Sequence, residues 1–146
     1  MTGGRPIVIE RRVAASRQRV YAFLTDAAHW VRWQGEAATI EPVPGGLFEM
    51  RMANGMTARG RFVDLVENER VVFTWGWIDD PTTPPGSTAV AIELIEDGTA
   101  TLLRLTHTGL AEAEILPHTT GWSHYLSRLA AVAEGRDPGP DPGPGT

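Results

Sequence analysis

The chain's four histidines are its best candidates for chemistry, because an unperturbed imidazole changes charge close to neutral pH. Two of them, His118 and His124, stand in "ILPHTTGWSHYL" (residues 115–126), beside a proline and a glycine–tryptophan pair. Helical histidines that share a metal are expected at i and i+4. At about 100° per residue these two lie about 120° apart around a helix. With scattered histidines, no HExxH motif and no Asp/Glu cluster, neither a metal nor any other cofactor is expected. No carboxylate and nucleophile are spaced for a triad, and Ser16, Ser123 and Ser127 read as capping or surface residues. "PGG" (44–46) precedes a strand and lacks a lysine, so it is not a phosphate loop.

Strand alternation brings in another histidine. In "TATLLRLTHTG", Leu103, Leu105 and His107 share a face, with Arg104 and Thr106 opposite. With Trp122 set at zero on the last helix, Ile115, Leu126, Leu129 and Ala133 fall within about 40°, and His118 about 40° to the other side. His118 should therefore face the sheet and His124 the water or rim. The inward pair His107 and His118 has three readings: half-buried histidines bonded to backbone, contacts to a ligand's polar group, or an acid/base couple.

The elements that must hold these residues follow from period and punctuation. "IVIERRV" (7–13) alternates as a strand. Ser16 can cap a short helix, "RQRVYAFLTD", and Asp26 a second short turn through Trp30 and Trp33. Six further strands follow: "AATIEPV", "LFEMRM", "MTARGRFVDLV", "RVVFTWGWI", "TAVAIELIE" and "TATLLRLTHTG". Short turns, among them Asn-Gly, join most of them, which predicts one antiparallel sheet. Val71, Phe73, Trp75 and Trp77 should share the inner face of the fifth strand. A helix from about Glu112 to Glu134 is the expected cover. It either starts near Pro117 or bends there. Gly121 is disfavoured inside a helix, and serves close approach to a strand or ligand unless it is merely tolerated.

Bulk properties limit the function. The 146 residues fit one domain, and 42% apolar with 21% charged residues is normal for a globular protein. A net charge of -5 argues against a nucleic-acid partner. The absence of cysteine removes disulfide and thiolate chemistry. No apolar run approaches the roughly 18 residues of a membrane helix, and Met1 is followed by no apolar signal region, so no membrane insertion and a cytoplasmic location are expected. Residues 1–6 are expected to be flexible, 7–134 to form the domain, and the Pro/Gly-rich 135–146 to be disordered.

The order strand, two short helices, six strands and long helix resembles the helix-grip fold of the START-like (SRPBCC) superfamily. More narrowly it is similar to the family named after the activator of the heat-shock-chaperone ATPase. The resemblance rests on "VAASRQRVY" (13–21, with Ser16 where the family has proline), "LTDAAHWVRW" (24–33), "PGGLFEM" (44–50), "GRFVDLVENERVVFTWGW" (60–77), "TLLRLTHTGL" (101–110) and "GWSHYLSRL" (121–129). It implies an α+β fold in which a curved seven-stranded antiparallel sheet wraps around the C-terminal helix. It also implies a cavity between the two, and relatives that carry lipids, cyclise polyketides, sequester antibiotics or assist chaperones.

The expected activity is therefore non-catalytic binding of a small hydrophobic or aromatic molecule. Phe48, Met50, Phe73, Trp75, Trp77, Leu105, Trp122 and Leu126 are the expected apolar wall, and His107 and His118 the polar contacts. A plain filled core is the competing reading of the same aromatics. A polyketide cyclase or aromatase using a histidine as acid/base is the enzymatic alternative. Sequestration of an antibiotic for self-resistance, and regulation of a chaperone ATPase as partner, are the other roles the resemblance allows; a homodimer is also compatible.

Overall fold

Alternating apolar side chains build one antiparallel sheet. The computed structural model describes residues 4–144. Its strands are β1 (Ile7–Val13), β2 (Ala37–Ile40), β3 (Leu47–Arg51), β4 (Thr57–Val66), β5 (Arg70–Trp75), β6 (Thr88–Asp97) and β7 (Ala100–Thr108), in the spatial order β1-β7-β6-β5-β4-β3-β2. From β2 to β7 each strand pairs with the next, and β7 closes on β1, with Ile7 opposite His107. Between β1 and β2, the helices α1 (Arg17–Thr25) and α2 (Ala27–Trp30) carry the chain to the far edge. Ser16 accepts from the Arg19 amide and Asp26 from the His29 amide, so both caps act as their residue types predict. This is the helix-grip α+β architecture.

The long helix α3 (Glu112–Ala133) begins more than a turn before Pro117, which stands inside it. β1, the turn after it and α1 fasten its C-terminal part. Arg11 donates to Ser127 Oγ at 2.7 Å, Glu134 accepts from the Ala14 amide at 2.8 Å, and Arg19 donates to the Ala133 carbonyl. The Gly4 amide bonds to the Leu110 carbonyl at 2.7 Å; residues 1–3 lie outside the described residues.

Two strands end well short of where the sequence reading has them: β2 stops at Ile40 and not at Val43. The fifth strand was expected to run through Trp77, but β5 ends at Trp75 and Trp77 keeps only a single bridge to Ala58. The cause is the Pro-rich loop folding back over Gly76. A Cβ there would lie 1.8 Å from the Pro84 carbonyl oxygen, so only glycine fits. The Trp77 amide instead donates to the Thr83 carbonyl at 2.7 Å.

The interior is filled at one end. Trp30 and Trp33, from α2 and the turn after it, are fully buried. Trp30 meets Phe48 and Phe73 at centroid distances of 5.1 and 5.9 Å, while Phe48 stacks on Phe73 at 4.3 Å. Both indole N–H groups are satisfied, by Gln34 Oε1 at 3.0 Å and the Phe23 carbonyl at 3.1 Å.

Candidate functional site

At the other end the layers do not close, and a cavity of about 580 Å³ remains. That is within the range of about 300–1,000 Å³ common for small-molecule sites. Trp75 and Trp77 line it from the sheet side; Pro117, His118, Gly121, Trp122 and Tyr125 line it from α3. The loops at 34–36 and 52–56, Asp80, Glu114 and the segment 141–144 supply the rest.

Of the ten expected site residues, Trp75, Trp77, His118 and Trp122 line this space. Phe48, Met50, Phe73, Leu105, His107 and Leu126 do not; they are buried in the core cluster or beside it. The aromatic members were displaced because Trp30 occupies the space in front of Phe48 and Phe73. Alternation identified the inner face correctly but could not say which part of it a second layer covers. Met52, Met56 and Tyr125 were missed as lining residues; Met52 shares the strand face of Phe48 and Met50, and Tyr125 lies one turn beyond Gly121, so helical and strand period were the available signals.

The histidines are inward as expected, with rings 5.4 Å apart and perpendicular. They do not bond to each other. Thr88 donates its hydroxyl to the Trp75 carbonyl at 2.8 Å, so at 2.9 Å it must accept from His107 Nε2–H. Trp122 Nε1–H donates to His107 Nδ1 at 3.0 Å. The chain Trp122 to His107 to Thr88 to Trp75 fixes a neutral imidazole protonated on Nε2. Burial first, and the adjacent His118 second, hold its pKa down at about 3. His118 carries the opposite tautomer. Its Nε2 accepts from Trp77 Nε1–H at 3.1 Å, so Nδ1–H donates to the Glu114 carbonyl at 2.8 Å. All four ring nitrogens are thus engaged within the protein.

Among the residues that line the cavity, one buried donor is left over. Trp75 Nε1–H is buried without a hydrogen-bond partner, although Trp75 lines the cavity and is 2% exposed. A buried donor left unpaired costs about 1–3 kcal/mol. Gly121 also contributes openness: a Cβ built there meets nothing within 4 Å. It does not serve close packing of α3 on a strand, since the space beside it is cavity.

His124 sits on the rim, where its Nε2 is 2.7 Å from Asp141 Oδ1. This contact belongs to a segment whose composition suggested disorder. Residues 135–144 carry no helix or strand after the turn that ends α3, yet they lie along that helix; 145–146 fall outside the described residues. Arg128 donates to the Pro138 and Gly139 carbonyls at 3.4 and 3.0 Å. Burial raises the Asp141 pKa, but the bond from His124, the Gly143 amide and Arg128 outweigh it and keep it lowered. Burial, with the Asp141 charge, pushes the Tyr125 phenol up to about 12. Among the described residues no group of three or more His, Cys, Asp or Glu is placed to hold a metal, and no helix is long and apolar enough to cross a membrane.

Comparison with known proteins places this geometry in context. No curated protein matches the chain. Among solved structures, an AHSA1-like protein from Rhizobium etli is 44% identical, with 97% of this chain and 91% of that one covered at a TM-score of 0.71. A Mesorhizobium loti protein is 20% identical and superposes at 0.81 over 91% of this chain and 99% of that one. The Aha1 dimer from Colwellia psychrerythraea, also 20% identical, superposes at 0.78 over 90% and 97%. The family described as "Activator of Hsp90 ATPase homolog 1-like protein" matches residues 14–134, and together with the Rhizobium etli relative this makes the chain a member of that family.

Proposed function

We propose that the protein binds a small, largely apolar molecule, without transforming it, in the cavity between the sheet, α3 and residues 141–144. The observation that carries this reading is Trp75: an indole donor, buried and unpartnered, on the wall of an aromatic-lined space of about 580 Å³. A ligand acceptor at that position would complete the only one of the three cavity indoles that lacks a partner among the described residues. The engaged ring nitrogens of His107 and His118 favour binding over the acid/base reading, since a proton transfer would first have to break the bonds that hold them.

Titration of aromatic metabolites and long-chain lipids against tryptophan emission and melting temperature tests the proposal. A ligand at about 100 times its Kd should stabilise the fold by about 2.7 kcal/mol. A panel that moves neither emission nor melting temperature would remove the reading. A second reading, regulation of a chaperone ATPase, draws on the family's description alone. An unchanged ATPase rate of a bacterial Hsp90-type chaperone at stoichiometric protein would remove that one.

A further inference from the structure

We infer that the cavity selects a cationic ligand, one whose apolar or aromatic body carries a protonated amine at the mouth. This rests on the binding reading above and adds the ligand's charge. The lining includes four carboxylate residues, Glu36, Asp80, Glu114 and Asp141, and none of the chain's 13 arginines. Two of the four are already answered: Glu36 by Arg51 at 3.3 Å and Asp141 by His124 at 2.7 Å. The other two have no arginine partner among the described residues. Asp80 accepts only from the Thr82 and Thr83 amides, at 2.8 and 3.3 Å. Glu114 has its Oε1 4.0 Å from His118 Nδ1, which already donates to the Glu114 backbone carbonyl.

These two carboxylates come from the loop after Trp77 and the first turns of α3, the two segments that the bond between Trp77 and His118 ties together. The same wall presents Trp75, Trp77, Trp122 and Tyr125, whose ring faces attract a cation and gain most when it is shed of water. An anionic ligand would meet like charge at Asp80 and Glu114, with no arginine in the lining to offset it. The Trp75 indole N–H, buried without a hydrogen-bond partner in a residue of this same wall, is an observation independent of these charges.

The test compares three probes on one skeleton by calorimetry: naphthylethylamine, naphthylethanol and naphthylacetate. The amine should bind about tenfold tighter than the alcohol, the effect of one favourable cation–π or ion contact of about 1.4 kcal/mol. The carboxylate should bind weakest. The double variant Asp80→Asn, Glu114→Gln, in which Asn keeps the acceptor for the Thr82 and Thr83 amides, should narrow the ratio of amine to alcohol affinity. Higher salt should narrow it as well, because the charges are partly exposed. Equal binding of all three probes, or tightest binding of the carboxylate, overturns charge selection and leaves the binding reading standing. Failure of every probe in this panel and in the wider titration takes down both.

Discussion

Protonation of His107 should be visible as a loss of stability as pH falls below about 6.5. The imidazole's pKa lies at about 3 in the folded protein, against an ordinary value of 6.5. Between those values the unfolded chain binds a proton that the folded chain excludes. Stability therefore rises with pH across the window and falls as pH drops from about 6.5 toward 3. Each unit below 6.5 is worth about 1.4 kcal/mol, so lowering pH from 7 to 5 should remove about 2 kcal/mol through this one residue. The carboxylates with lowered pKa values, Asp26, Glu134 and Asp141, begin to titrate only below that range. Urea unfolding at pH 7 and pH 5 measures the difference, and His107→Gln should abolish most of it. Carbon-13 shifts of the histidine rings follow the same event without a variant. A His107 signal that titrates near 6.5 in the folded protein would refute the hydrogen-bonded neutral ring inferred here.

Three further outcomes follow from the same geometry. Gly121→Ala should stabilise the protein by about 1 kcal/mol in chemical unfolding, because the methyl meets open space and alanine favours the helix; Gly121→Leu should keep the fold and weaken ligand binding, and a destabilised Ala variant would mean the glycine serves packing. Trp122→Phe should cost at least about 1–3 kcal/mol, since His107 Nδ1 loses its donor in a buried place. Removing residues 136–146 should bring the Tyr125 phenol down from about 12 toward 10, read by ultraviolet titration, if the segment and Asp141 lie where the structure puts them.

Much of this architecture was legible because period and punctuation were unambiguous. The seven alternating segments and the Ser16 and Asp26 caps follow from local rules, whereas the start of α3 at Glu112, left open between there and Pro117, has no side-chain cap to mark it. Helical geometry also separated His118 from His124 correctly. What local rules could not supply was depth. Phe48 and Phe73 face inward as their alternation requires, but only the packing of Trp30 decides that they sit in core and not in cavity. Likewise the pairing of each inward histidine with a tryptophan N–H joins residues 41 and 15 positions apart, which no spacing rule anticipates. The tail's contribution was hidden for another reason: its composition describes a chain unable to form a core, which says nothing about bonds to His124 and Arg128 on a neighbouring helix.

The most direct test of the central claim is the indole region of the 1H–15N spectrum, recorded during titration with naphthylethylamine. The chain has five tryptophans, three on the cavity wall and two, Trp30 and Trp33, in the filled end. Occupation of the cavity should move the Trp75, Trp77 and Trp122 signals, while Trp30 and Trp33 hold still. Five unmoved indole signals at saturating probe, or shifts confined to Trp30 and Trp33, would contradict it.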